Sequence, residues 1–253
     1  MKKFEGRVAL VTGGGSGIGR ASALIFAREG AKVVVANITP KGGEETSQII
    51  EDSGGRSMFV EADIAKAAEV EALVEEVISK YGRLDCAHNN AGIFGMMANT
   101  ADYAEEEWDQ VIDINLKGVW LCMKYELRQM IEQGNGAIVN MSSHAGLRGV
   151  SNGMPAYVAS KHGVVGLTKA AALEYAGRGI RVNSVCPSGT ITPLVLRLWE
   201  RDPAMKQRAG MMVPLGRMAT AEEVAEAVVW LCSDAASFIT GHSLALDGGR
   251  TAQ

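Results

Sequence analysis

Tyr157 and Lys161 stand four apart in Tyr157-Val158-Ala159-Ser160-Lys161, a stretch with no helix breaker. On a helix that offset puts both side chains on one face, one turn apart. A phenol titrates near ~10, and a cation with a hydroxyl donor beside it favours the phenolate, giving a proton donor and acceptor usable near neutrality. Ser143 is the candidate hydroxyl. Taken alone, the pair equally describes a buried ring and a solvated ammonium, so the elements that would position it must decide.

Those elements alternate along the whole chain. Val8-Ala9-Leu10-Val11 is apolar on both parities, as a strand covered on both faces should be. A helix is expected from Ile18 to Glu29, ended by Gly30, then a strand at Lys32 to Ala36 and a helix from Lys41 to Asp52. A strand at Arg56 to Glu61, a helix at Ala67 to Tyr81 and a strand at Leu84 to Asn89 follow. Further on, one long helix is read from Glu105 to Gln133, a strand at Ala137 to Met141, a helix from Pro155 to Ala176 and a strand at Arg181 to Val185 stopped by Pro187. Residues 192 to 213 mix Leu194, Leu196, Trp199 and Met205 with charges and prolines, the pattern of one or two short helices forming a lid. Thr220 and Glu223 make a capping-box pair for a last helix, Ala221 to Ser233, before a strand at Ser243 to Leu246. Strands separated by helices imply an α/β fold, a parallel sheet with helices on both faces. With no linker or composition break, residues 1 to 253 are read as one domain.

Composition narrows the function. Hydrophobic residues at 47% and charged residues at 21% fit a globular protein, and a net charge of −4 without basic clusters argues against nucleic acid as a partner. Cys86, Cys122, Cys186 and Cys232 are far apart with no metal-ligand spacing, so buried reduced thiols are expected and no metal. No apolar leader or membrane-length segment is present, which makes the cytoplasm the expected location and a membrane partner unexpected.

The first strand runs into Thr12-Gly13-Gly14-Gly15-Ser16-Gly17-Ile18-Gly19, which opens a helix. Glycines there let the backbone turn sharply and let a diphosphate approach the N–H groups of the helix start. At this point the chain resembles the short-chain dehydrogenase/reductase family, whose phosphate loop has the spacing TGxxxGxG. The resemblance continues in order through Asp63-Ile64, Asn89-Asn90-Ala91-Gly92, Asn115 within Ile114-Asn115-Leu116-Lys117-Gly118, Ser143, Tyr157 with Lys161, and Pro187 to Thr192.

The resemblance implies a single Rossmann-type, doubly wound domain with about seven parallel strands. It implies Gly13, Ser16, Gly17, Ile18 and Gly19 at the cofactor diphosphate, Asn37 at the adenosine ribose, and Asp63 and Ile64 against adenine. Asn89, Ala91 and Gly92 would follow along the cofactor, with Tyr157, Lys161, Pro187, Ser188, Thr190 and Thr192 at its nicotinamide end. Catalysis would fall to Asn115, Ser143, Tyr157 and Lys161. Tyr157 would be the acid/base, Ser143 would orient the substrate oxygen, and Lys161 would lower the tyrosine pKa and bond the nicotinamide ribose. Asn115 would distort its helix and hold a water linking Lys161 to solvent.

Two positions depart from the family pattern. Asn37 stands where an acidic residue often sets NAD preference, and Ser16 and Ile38 stand where NADP enzymes place cations, with Lys41 the one close cation. NAD is therefore the expected cofactor, with NADP or dual use as the alternative. Ser188 replaces a glycine beside the nicotinamide. The expected reaction is hydride transfer between a nicotinamide cofactor and a small-molecule secondary alcohol or ketone. Its apolar body would meet residues among Ile93, Phe94, Met96, Met97, Leu147, Met154, Leu196, Trp199, Met211 and Met212, and His144 could touch it. A 3-oxoacyl-carrier reductase and a non-catalytic NAD(H)-sensing protein are the alternatives. The family tendency adds a homotetramer, with the helices at Glu105 to Gln133 and Pro155 to Ala176 as candidate faces.

Overall fold

The computed structural model describes residues 2–151, 153–201, 211 and 213–253. Seven parallel strands form one sheet in the order β3-β2-β1-β4-β5-β6-β7. They are β1 Val8–Thr12, β2 Lys32–Asn37, β3 Arg56–Glu61, β4 Cys86–Asn89, β5 Gly136–Met141, β6 Ile180–Pro187 and β7 Ser243–Leu246. The described helices are α1 Gly17–Arg28, α2 Pro40–Asp52, α3 Ala67–Tyr81, α4 Glu105–Ile112, α5 Gly118–Gln133, α6 Pro155–Tyr175, α7 Pro193–Arg201 and α8 Ala221–Cys232.

The central strands are apolar on both parities because each parity meets a different layer. Val8 and Leu10 of β1 pack with α3, α5 and α6, whereas Ala9 and Val11 pack with α1, α2 and α8. Each fully buried Leu or Phe in these layers adds roughly 1.5–3 kcal/mol. The strand order reverses between β1 and β4, and in open sheets of this kind the crevice beyond the strand ends at that reversal is where ligands bind. Among the described residues no helix is long and apolar enough to cross a membrane.

Local signals were legible in several places. Thr220 accepts from the Glu223 N–H at 3.2 Å while the Glu223 carboxylate accepts from the Thr220 N–H at 2.9 Å, the expected capping box. Several boundaries differ from expectation, three of them for a visible physical reason. The single helix expected over Glu105 to Gln133 is broken by a π turn at Asp113–Lys117, which divides α4 from α5. β4 begins at Cys86 because the Gln133 side-chain amide takes both the N–H and the C=O of Leu84, at 2.8 and 2.7 Å. β6 runs through Pro187, which pairs with Leu246. Proline removes only a donor, and the Ser188 N–H restores the ladder on the Leu246 carbonyl at 3.2 Å. Of the expected lid, α7 is present, while residues 202–210 and Met212 lie outside the described residues.

Candidate active site

The strand ends and the turns that follow them enclose a cleft of about 730 Å³ along the C-terminal edge of the sheet. One end starts at the glycine-rich loop. Ser16 caps α1 without a side-chain bond and the first turn of α1 holds no acidic residue, so backbone N–H donors are offered to whatever lies there. Gly13 and Gly17 adopt φ of +64° and +53°, where a β-carbon is strained. A side chain on Gly19 would meet the Gly13 carbonyl at 2.2 Å, so glycine is what lets helix and loop close together. Thr12 Oγ1 accepts from the N–H groups of Asn90 and Ala91 at 3.1 and 3.3 Å, tying this loop to the end of β4.

Asn37 lies at the end of β2, its amide donating to the Thr39 carbonyl and hydroxyl at 2.9 and 2.8 Å. That leaves the Oδ1 as an acceptor. Nearby Arg20 is committed to the Gly15 carbonyl at 2.7 Å and to Glu45 at 2.8 Å. Asp63 and Ile64 line the same region.

At the other end β5 delivers Ser143, whose hydroxyl accepts from the Ala145 N–H at 3.2 Å and so caps a short turn while its side chain lines the cleft. Adjacent Ser142, which strand alternation would send to the opposite side, also lines the cleft, and its hydroxyl donates to the Lys161 carbonyl at 2.9 Å. α6 carries Tyr157 and Lys161 on one face, with the ammonium 5.6 Å from the tyrosine ring centre. The ammonium donates to the Met141 carbonyl at 2.8 Å. The expected lowering of the tyrosine pKa by Lys161 is not what this arrangement gives. Burial pushes Tyr157 up to about 12, opposed by the Ser143 hydroxyl, which favours the phenolate. Burial also pulls Lys161 down to about 8, which weakens it as a fixed cation.

Asn115 sits in the π turn and is fully buried. Its side chain accepts from the Ile93 N–H and donates to the Ile93 carbonyl, both at 2.8 Å. A β-carbon on Gly92 would lie 3.0 Å from Asn115 Oδ1 and 3.6 Å from Lys161 Nζ, so both side chains press on the same backbone. Asn115 thus stands behind the cleft wall and holds it.

Every other expected cofactor position lines the cleft except Gly19 and Asn89. Asn89 turns into the sheet's helical face, donating to Glu126 at 3.0 Å and to Asn140 at 3.1 Å, because side chains alternate along β4 and this parity faces α5. Of the apolar set, Ile93, Phe94 and Met154 line the cleft, with Phe94 5.1 Å from Tyr157 ring to ring. Met96, Met97, Leu147, Leu196 and Trp199 do not line it, and Met211 is 85% exposed. His144 lines it, and so do two residues the motifs did not single out, Arg197 on α7 and Arg250 in the tail. A visible signal for Arg250 was Gly248-Gly249, a sharp turn placed directly after the last strand. The loops flanking this end are joined where the Ala98 N–H donates to the Gly153 carbonyl at 2.8 Å.

A family model described as enoyl-(acyl carrier protein) reductase matches residues 13–251. A cyclohexanol dehydrogenase of Acinetobacter sp. (strain SE19) is 44% identical over 251 residues, covering 99% of this chain and 97% of that one. The chain belongs to the short-chain dehydrogenase/reductase family. Within it, a 2,5-dichloro-2,5-cyclohexadiene-1,4-diol dehydrogenase of Sphingobium indicum is 44% identical over the full length of both chains. The solved structure of an NAD+-bound xylitol dehydrogenase superimposes with a TM-score of 0.91 at 33% identity, covering 98% of this chain and 100% of that one. This short-chain dehydrogenase/reductase is an NAD(P)-dependent alcohol dehydrogenase/ketone reductase. Its cleft fits the cofactor, since the bare α1 N-terminus, the close glycines and the Asn37 acceptor suit a diphosphate and a ribose.

Proposed function

We propose that this chain oxidises secondary alcohols with apolar, alicyclic bodies, and reduces the matching ketones, using NAD and Tyr157 as the acid/base. The observation that carries this reading is the convergence of Ser143, Tyr157 and Lys161 at one end of a cleft whose other end is an uncapped helix N-terminus. When bound, the nicotinamide supplies the carbon that accepts or returns the hydride. Ser143 donates a hydrogen bond to the substrate oxygen and orients it. Tyr157 takes the hydroxyl proton in oxidation and returns it in reduction, and Ser143 supports the phenolate against the burial that disfavours it. Lys161 holds the strand end through Met141 and would reach the nicotinamide ribose, with Asn115 and a water behind it. Ile93, Phe94 and Met154 exclude water from the substrate body. The ring-shaped substrate class is supported by the names of the two dehydrogenase relatives.

Asn37 favours NAD because its Oδ1 can accept from ribose hydroxyls, while the Arg20 guanidinium, bonded to the Gly15 carbonyl of the phosphate loop, is held by Glu45 and offers no counter-charge to a 2′-phosphate. In this reading α7 forms part of the lid of a single domain spanning the chain. Trp120 on α5, 46% exposed, and Leu173 on α6, 85% exposed, support a homotetramer built on those helices, which light scattering tests.

The test is a panel of cyclohexanol, cyclohexanone and straight-chain secondary alcohols and ketones, run with both cofactors. Turnover should be faster with NAD(H) than with NADP(H) and faster with the ring substrates. No turnover of any secondary alcohol or ketone would refute the reaction, and a preference for NADP would refute the cofactor assignment.

A further inference from the structure

Among the described residues the cations lining the cleft are Lys161, Arg197 and Arg250, against one carboxylate, Asp63, at the adenosine end. Lys161 and Arg250 belong to the catalytic end. The Lys161 ammonium is buried there and donates to the Met141 carbonyl at 2.8 Å. Arg250 follows β7, and its charge helps hold down the pKa of His144, next to Ser143.

Arg197 comes from a different element, and that element starts against the glycine-rich loop. A β-carbon on Gly17 would lie 3.3 Å from the Thr192 side chain and 3.6 Å from Pro193, the first residue of α7. Gly17 also opens α1, at φ +53°, so α7 begins beside the N–H donors that α1 leaves unpaired. The Thr192 hydroxyl accepts from the Val195 N–H at 3.4 Å and the Thr192 carbonyl accepts from the Leu196 N–H at 2.9 Å, which sets the direction of α7 as it leaves that contact. Side chains on a helix lean toward its N-terminus, so each covers the turn before its own. For Arg197 that turn is Pro193 and Leu194, which line the cleft with it. The guanidinium is thereby carried back toward Gly17.

It is also uncommitted. Among the described residues Arg197 forms no hydrogen bond or ion pair, although Glu200 stands three residues further along α7, the spacing at which surface pairs form. Arg20, a second guanidinium near the loop, is held by the Gly15 carbonyl at 2.7 Å, Thr46 at 3.0 Å and Glu45 at 2.8 Å, and does not line the cleft. The start of α1 supplies a partial positive charge, about half a unit, whereas each phosphate of a dinucleotide carries a full negative one. The balance calls for a mobile cation at this point of the cleft.

Resting on the dinucleotide site, and on neither the substrate nor the choice between NAD and NADP, we infer that Arg197 binds the cofactor diphosphate, taking phosphate oxygens that the α1 N–H groups leave open. A guanidinium presents a planar fork that matches two phosphate oxygens in parallel bonds. α7, read from the sequence as part of a lid, thereby holds the cofactor as well.

The experiment measures the binding of ADP-ribose and adenosine by calorimetry and of NADH and NADPH by fluorescence, with no turnover involved. Arg197→Gln should weaken ADP-ribose and NADH by about tenfold, the lower end for a charge-assisted bond because the side chain is exposed. Arg197→Lys should weaken them less, since the ammonium keeps the charge and loses the fork. NADPH should weaken by the same factor as NADH, and adenosine, which has no phosphate, should stay within about twofold in both variants. Added salt should narrow the gap between wild type and Arg197→Gln for ADP-ribose. Unchanged ADP-ribose affinity in Arg197→Gln would overturn the assignment while leaving the dinucleotide site intact, and so would a loss for adenosine as large as that for ADP-ribose. A loss confined to NADPH would put the guanidinium at the 2′-phosphate and overturn it too. Failure of the wild type to bind ADP-ribose would overturn the phosphate-loop reading as well.

Discussion

Two polar clusters lie under the same end of the sheet, and burial acts on both. In one, Lys161 on α6 is drawn down to about 8 beside Tyr157 and Ser143. In the other, Glu126 on α5 is driven up to about 8 beside Asn89, Asn140 and Thr168. Thr168 is on α6 too, about two turns beyond Lys161. The chemistry of the two differs because their access differs. Ser143, Tyr157 and Lys161 line a cleft, whereas Glu126 is sealed at 0% exposure, with one carboxyl oxygen on the Asn89 amide and the other without a partner among the described residues. A shifted pKa marks a desolvated charge. Only its position on the cleft makes that charge useful to a substrate.

The largest expected effect that would separate the two clusters is that of Tyr157→Phe. Turnover should fall about 10³-fold while NADH affinity, followed by fluorescence titration, stays within about twofold. Near-normal turnover would remove the phenol from the proton path. Ser143→Ala should cost about 10²-fold in kcat/KM, the loss of one donor to the reacting oxygen. Asn115→Ala leaves the Ile93 N–H and C=O without their side-chain partner and should destabilise by roughly 2 kcal/mol in denaturant unfolding.

The smallest effect on turnover belongs to the sealed cluster. Glu126 ionises near its ordinary 4.5 in the unfolded chain but near 8 in the folded one. Below the lower value both states are protonated. Between the two the unfolded chain alone releases its proton, so the wild type loses stability as pH rises through that window. Glu126→Gln does not titrate, so its stability relative to wild type should climb by several kcal/mol between pH 5 and 8, at about 1.4 kcal/mol per pH unit, with turnover within about twofold. A flat difference between pH 5 and 8 would show that Glu126 is ionised in the folded protein.

Much of this was readable in the sequence, for physical reasons that also explain the failures. Strands such as Val8–Thr12 are apolar on both parities because both faces are covered, and that leaves a local mark. Ser143, Tyr157 and Lys161 are fixed by spacing within one strand end and one helix. The π turn between α4 and α5 was marked by the resemblance at Asn115 and not by periodicity, because it depends on Asn115 bonding the distant Ile93 backbone. Asn89 was expected at the cofactor, although its β4 parity commits it to Glu126. The placement of Arg197 and Arg250 on the cleft depends on where a helix and a tail return over the sheet, which no spacing rule reports.

The single bond from the Ala98 N–H to the Gly153 carbonyl has a consequence for how this enzyme's selectivity can change. Gly153 has φ +68°, and a β-carbon there would lie 3.3 Å from the Ala98 backbone, so neither strand of the clasp can shift without the other. The loop that carries Ile93 and Phe94 and the one that carries Met154 are therefore inherited as one trait. Substitutions on one loop will change the value of substitutions on the other, and a new substrate range will be reached by paired changes more readily than by the sum of single ones.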